Sequence, residues 1–346
     1  MRAKFKILIS GVAPSLFPTE TFFGILQCDD KSSLEIPKMY PFRGEWGKPT
    51  NTYLCLQDYS QMPQKIDMVW LSICEQRFYS IEKDLFVQKL ECIWEEQYQK
   101  YTTSPYEYIV VGMAPYGKVA IWFYGKEKSI VIGWFEGEKV EVSMRDFLPE
   151  NPSMSLGEYC SFYLDYLNSA LPPRDLFDNY MKQFTYRYQS LFEHWNEDKE
   201  EWRKYEGEED MKMMPEFDYI EEALFDGTHD KLHDDGLMSY HQAGKPQKMA
   251  IQWHIKKSEY TAYFWFEDEV IRKVFDSFYG AHPDTKTDFM IRIDPEKNKY
   301  ELALYRYGLK KPQVINESAY QMIVFKNKFE CFRSENYNQP KGAWIW

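Results

Sequence analysis

The sequence predicts an α+β protein of two degenerate ββαβββ units with antiparallel sheets, joined by an α-helical acidic bridge. Three observations carry this expectation. Alternating apolar runs of strand length fill both ends of the chain, each end holds one amphipathic helical stretch after two strands, and the middle holds a dense run of acids. The expected divisions are residues 1–150, 151–245 and 246–346. With 346 residues, 44% of them hydrophobic and 28% charged, the chain can bury one large core or two ordinary ones.

Strand-like runs at Phe5–Ile9, Thr21–Leu26 and Thr52–Leu56 form an N-terminal layer, separated by Pro- and Gly-rich turns. Ile66–Leu71 and Arg77–Ile81 follow as two strands. Lys83–Tyr98 then carries Phe86, Leu90, Ile93 and Trp94 at helical spacing. Tyr108–Met113, Val119–Tyr124 and Ile130–Phe135 complete the first unit, with Pro115-Tyr116-Gly117 as a tight turn. The C-terminal region repeats the order. Met249–Ile255 and Tyr260–Phe266 are strands, and Glu269–Tyr279 is a helix with Val270, Val274, Phe275 and Phe278 on one face. Phe289–Ile293, Tyr300–Tyr305 and Gln321–Phe325 are the matching strands. At an offset of 183 Trp70 falls on Trp253. With small drifts Asp84 meets Glu269, and Val119, Ile121 and Phe123 meet Tyr300, Leu302 and Leu304, a repeat by pattern rather than identity.

Two helices are expected between the copies. Ser155 with Glu158 three residues on makes a capping box. Pro172-Pro173 then open a second helix that buries Leu176, Phe177, Tyr180, Phe184, Tyr188, Leu191 and Trp195 at steps of three and four. Asp218–Leu224 reads as a further short helix. Residues 193–235 hold 17 Asp and Glu against 5 Lys and Arg, an excess equal to the chain's whole net charge of −12.

That charge argues against nucleic acid and anionic lipid as partners, because both need Lys and Arg. It favours a basic protein. The expected docking face is acidic and aromatic, built from Trp195, Glu197, Asp198, Glu200, Glu201, Trp202, Glu208, Glu209, Asp210, Asp218 and Tyr219. Clustered charge speeds encounter with such a partner, and buried aromatics anchor it. No stretch approaches the roughly 20 apolar residues of a membrane span. Near the N-terminus, Ile7-Leu8-Ile9 is too short for the apolar core of a signal peptide. Six dispersed cysteines without a CxxC pair read as free thiols in a reducing cytoplasm.

Chemistry is hard to find. The nucleophile elbow, the phosphate loop and the dinucleotide glycine fingerprint are all missing from the sequence. No catalytic residue and no cofactor are therefore expected. His229 and His233, four apart among aspartates, would share a helix face and hold zinc with a third ligand. A metal-dependent hydrolase using that pair is the alternative to a non-enzymatic binding protein. The bracketing Gly227-Thr228 and Asp234-Asp235-Gly236 leave little room for the helix it needs.

Ile66…Trp70-Leu71-Ser72…Glu75-Gln76-Arg77-Phe78-Tyr79, an amphipathic helix, then Val111-Gly112-Met113-Ala114-Pro115-Tyr116-Gly117-Lys118-Val119-Ala120-Ile121-Trp122 resembles the bacterial domain-of-unknown-function family numbered 2931. The likeness is best over residues 66–135. It brings no catalytic residues. It does imply an immunity-type role, a cognate inhibitor of a bacterial toxin or effector. Many members of that family look like lipoproteins, whereas Gln27 directly before Cys28 is wrong for a lipoprotein cleavage box.

Overall fold

The computed structural model describes residues 7–28, 32–38, 41, 43–50, 62–85, 90–95, 106–164, 171–206, 214–233 and 239–338. It is mostly β, with 51% strand and 15% helix, an α+β chain dominated by sheets. The chain forms two compact units. One runs to Asn179 and includes Asp226–Thr228, and the other comprises Tyr180–Phe225 and the chain from His229 onward.

The described residues of the first unit form nine strands: β1 Leu8–Val12, β2 Thr19–Cys28, β3 Ser33–Glu35, β4 Pro63–Ser72, β5 Arg77–Asp84, β6 Tyr108–Met113, β7 Lys118–Tyr124, β8 Ser129–Glu136 and β9 Glu138–Val140. One sheet runs β3-β2-β4-β5-β9, antiparallel throughout. The other runs β1-β6-β7-β8, with β1 parallel to β6. The alternation of β4 sends Ile66, Met68 and Trp70 into the core, where they meet Ile109, Val111, Ile121 and Phe123 from the other sheet. The opposite face of β4 and β5 is covered too. The helix Leu156–Leu164 packs Leu156, Tyr159, Cys160, Tyr163 and Leu164 against Val69, Leu71 and Phe78. Its capping box forms as the sequence predicts: Ser155 Oγ accepts from the Glu158 N–H at 3.2 Å, and Glu158 accepts from the Ser155 N–H at 2.8 Å.

The described residues of the second unit form twelve strands: β10 Phe184–Asn196, β11 Glu201–Lys204, β12 Glu216–Leu224, β13 His229–Leu232, β14 His241–Ala243, β15 Pro246–Ile255, β16 Ser258–Phe266, β17 Thr287–Asp294, β18 Lys299–Tyr305, β19 Gln313–Val314, β20 Tyr320–Lys326 and β21 Phe329–Arg333. Within it β13-β12-β15-β16-β20-β21 are antiparallel neighbours. The second sheet runs β11-β10-β17-β18-β19, with β10 parallel to β17 and β14 also paired to β10. The helix Asp268–Tyr279 buries Ile271, Phe275, Phe278 and Tyr279 in this core, and Val270 and Val274 pack beside them.

The helical bridge is corrected. The helix after Pro172-Pro173 spans only Leu176–Met181, and the chain from Phe184 is a thirteen-residue strand. Phe184, Tyr186 and Tyr188 are buried in alternation, the period of a strand rather than a helix. Residues 218–224 belong to strand β12, not to a helix. The segment expected to connect two units thus supplies strands to the second. The Thr52–Leu56 strand falls outside the described residues, as do 86–89 and 96–98 of the expected first helix; residues 90–95 are helical.

Candidate functional site

The two halves of the first unit's sequence signature meet in space. Pro115–Gly117 is a single 3-10 turn between β6 and β7, in which Tyr116 adopts φ 64° and ψ 24°. This left-handed conformation is costly for a residue with a Cβ, so neighbours must hold it. Glu75, in the β4–β5 turn, provides that hold. One carboxylate oxygen accepts from the Tyr116 N–H at 2.8 Å and the other from the Tyr79 hydroxyl at 2.7 Å. The Tyr116 hydroxyl donates to the Pro172 carbonyl at 2.7 Å. Tyr79 stacks on the buried Trp70 ring at 5.7 Å. Gly117 sits at φ 76°, and a Cβ there would lie 2.7 Å from the Gly137 carbonyl and 2.9 Å from the Tyr79 ring.

Around this turn is a polar cleft of about 450 Å³ lined by Glu75, Arg77, Tyr116, Lys118, Lys139 and Arg174 among others. Lys118 is almost buried and pairs with Glu136 at 2.9 Å and Asp178 at 2.7 Å. Burial alone would lower its pKa, but the hydrogen bonds to Asp178 and Glu136 outweigh it and leave the pKa raised. Burial, then the Glu75 charge, pushes the Tyr116 phenol up. The Cys74 thiol is pushed up to about 11 by burial, and Cys160 to about 12 for the same reason. Both are poor nucleophiles near neutral pH.

The chain belongs to the family of proteins of unknown function DUF2931. The family model matches residues 3–182, more than half of the chain and nearly the extent of the first unit. No curated protein and no solved structure matches the chain. The segments quoted for the resemblance, Ile66–Tyr79 and Val111–Trp122, include the strained turn and supply Glu75, Arg77, Tyr79, Tyr116 and Lys118 to the lining of its cleft.

The expected docking residues separate in the second unit. Trp195 and Trp202 face each other across the β10–β11 hairpin, their rings 5.3 Å apart. Glu197, Asp198, Glu200 and Glu201 are exposed around its tip. Asp218 and Tyr219 lie on β12, in the other sheet. Glu208, Glu209 and Asp210 lie outside the described residues. Much of the remaining acidic run is engaged. Glu193 pairs with Arg292 at 3.2 Å, buried Glu222 accepts from the Tyr188 hydroxyl, and Asp218 and Glu216 both face His254, at 3.0 and 3.1 Å.

The metal pair is corrected in its geometry. His229 opens strand β13, and His233 follows its last residue. Four steps of strand span about 13 Å, so the two imidazoles cannot share an ion as they would on one helix face. Among the described residues no group of three or more His, Cys, Asp or Glu side chains is placed to hold a metal ion.

Sequence reasoning missed a groove of about 510 Å³ on the outer face of β12-β15-β16-β20, lined by Tyr219, Tyr263, Trp265, Phe325 and Tyr337 with Gln252, Glu259, Thr261 and Lys328. Tyr263 lies 6.1 Å from Trp265 and 5.9 Å from Phe325, and Tyr337 lies 5.8 Å from Trp265. The signal was present in Tyr263-Phe264-Trp265-Phe266, a strand with aromatics on both faces. Phe264 and Phe266 fill the core, which leaves Tyr263 and Trp265 for the outside. No helix among the described residues is long and apolar enough to cross a membrane.

Proposed function

We propose that this protein is a non-enzymatic protein-binding protein made of two diverged copies of one folding unit, one of which, among the described residues, leaves its outer sheet face uncovered for a basic protein partner. The observation that carries this reading is the aromatic groove on β12-β15-β16-β20. A concave site lined by half-buried aromatic side chains is the usual form of a binding site, and aromatic side chains in such clefts supply most of the binding energy.

The strand orders support the duplication. β3-β2-β4-β5-β9 corresponds to β13-β12-β15-β16-β20, and β1-β6-β7-β8 to β10-β17-β18-β19, each beginning with a parallel pair. Pro63-Gln64-Lys65 and Pro246-Gln247-Lys248 open β4 and β15 identically. Trp70 and Trp253 are both fully buried and stack on cross-strand tyrosines, Tyr79 and Tyr260. Beside each tryptophan the preceding strand slips register, between Thr21 and Phe23 and between Phe217 and Tyr219. Bulges at matched positions are features of a shared ancestor fold rather than accidents.

This correspondence indicates the occupant. In the first unit the equivalent face is covered by the helix Leu156–Leu164, so the open face suits an amphipathic helix. The exposed acids at the β10–β11 tip and the chain's net charge of −12 favour a basic bearer of that helix. An immunity-type inhibitor of a toxin is the narrower form of the reading and rests on the family resemblance. The five described cysteines are all free, which fits a reducing compartment.

The test begins with capture from the native cell, identification of the retained protein, and rebinding with both components purified. The expected partner is basic. Its association slows steeply with added salt, and its affinity falls at least about tenfold in Tyr263→Ser/Phe325→Ser at unchanged thermal midpoint. Binding indifferent to salt and to the groove variant overturns the proposal.

A further inference from the structure

We propose that the cleft of the first unit is a binding site for a compact oxyanion, a carboxylate or phosphate group, gripped by Arg77, Lys139 and Arg174. This site is independent of the docking surface on the second unit.

Ion pairing within the cleft is uneven, although its lining holds four cations and four carboxylates. Four carboxylates line the cleft, and each is occupied from within the protein. Glu136 and Asp178 are both held by Lys118, at 2.9 and 2.7 Å. Glu75 accepts from the Tyr79 hydroxyl and the Tyr116 N–H, at 2.7 and 2.8 Å. Asp175 accepts from the Asn179 side chain at 2.8 Å. Lys118 is the only one of the four lining cations that these acids hold. Among the described residues Arg77 and Lys139 have no carboxylate partner, and Arg174 faces only the Tyr116 ring, 5.7 Å from its centroid. Three cations without a carboxylate partner among the described residues thus line a cleft of about 450 Å³, within the size range of small-ligand sites.

The cleft is also built rather than incidental. Its floor is the left-handed Tyr116 turn, fixed at its backbone N–H by Glu75 and at its hydroxyl by Pro172. Such local strain persists only where the surroundings over-determine it, and it collects at ligand sites. Arginine suits the task because its planar fork meets the two oxygens of a carboxylate or phosphate together.

The experiment is calorimetric titration of the full chain with inorganic phosphate and, separately, with acetate, at ionic strength held constant with chloride. Saturable binding is expected, weakened at least about tenfold in Arg77→Gln/Lys139→Gln/Arg174→Gln. Because none of the three holds a carboxylate, the anion-free thermal midpoint of that variant is expected to stay level or rise. Lys310→Gln/Lys311→Gln, exposed residues of the second unit, serve as the control and leave binding unchanged. Tighter phosphate binding assigns a phosphoryl ligand, and equal or tighter acetate binding assigns a carboxylate. Absence of saturable binding by either anion, or binding undiminished in the triple variant, overturns the site.

Discussion

Gly117→Ala tests whether the strained turn depends on a close approach that only glycine permits. Two costs add. Gly117 has φ 76°, and placing a side chain in left-handed backbone costs about 1–2 kcal/mol. The new Cβ would also stand 2.7 Å from the Gly137 carbonyl and 2.9 Å from the Tyr79 ring. Neither gives way easily. Gly137 donates its N–H to the Gly117 carbonyl at 2.8 Å, and Tyr79 is fixed between Trp70 and Glu75. Forced overpacking of this kind costs typically about 1–3 kcal/mol, so the total is about 2–5 kcal/mol. For a unit of this size that lowers the thermal midpoint by about 10 °C. Gly308→Ala isolates the conformational cost, since Gly308 has φ 96° and no atom lies within 4 Å of its added Cβ. It should lose only about 1–2 kcal/mol. Urea unfolding monitored by tryptophan fluorescence, with amide exchange to assign each unit, measures both. If the two variants lose the same stability within about 0.5 kcal/mol, the close approach contributes nothing and the reasoning fails.

Three further outcomes are expected. Tyr188→Phe removes the hydroxyl that donates to the buried Glu222 carboxylate, and bonds to charged groups are worth about 1.5–3 kcal/mol; a loss below about 0.5 kcal/mol in urea unfolding would refute that bond's role. His254 has its pKa raised by its hydrogen bond to Asp218, then by the charges of Asp218 and Glu216. The resulting stabilisation is complete below the ordinary value of 6.5 and is lost as pH rises through the folded value. It is small at this exposed site. A nuclear magnetic resonance titration should place the His254 midpoint above 6.5 and show it falling in Asp218→Asn; an unmoved midpoint rejects the pairing. Thiol labelling of the native chain at pH ~8 should modify exposed Cys92 while sparing Cys74 and Cys160, whose pKa values stand at about 11 and about 12. Peptide mapping that finds either of those two labelled as fast as Cys92 contradicts their raised pKa values.

Several strands were legible from the alternation of their apolar residues. Ile66–Leu71 lies within β4, Met249–Ile255 within β15, and the helix face at Val270, Val274, Phe275 and Phe278 packs on its core. The failure at residues 184–195 has a specific cause. Phe184 and Tyr188 are four apart, a step that repeats a side on both a helix and a strand, and only buried Tyr186 between them separates the two. Reading steps of three and four extended a six-residue helix through a strand. The expected docking residues are divided between two sheets for a related reason. Asp218 and Trp195 are near in sequence yet lie in different sheets, since strand pairing rather than sequence distance sets spatial neighbours.

By itself the sequence determined the β-rich composition, the two runs of alternating strands, the capping box at Ser155 and the family likeness, because each depends on residues within one element or its immediate neighbours. Tertiary structure decided which strands share a sheet, that Glu75 would hold the Tyr116 turn forty-one residues away, and which cations would be left without acids. Those outcomes rest on long-range pairing, where register and burial are settled by the whole core at once and no local pattern carries them.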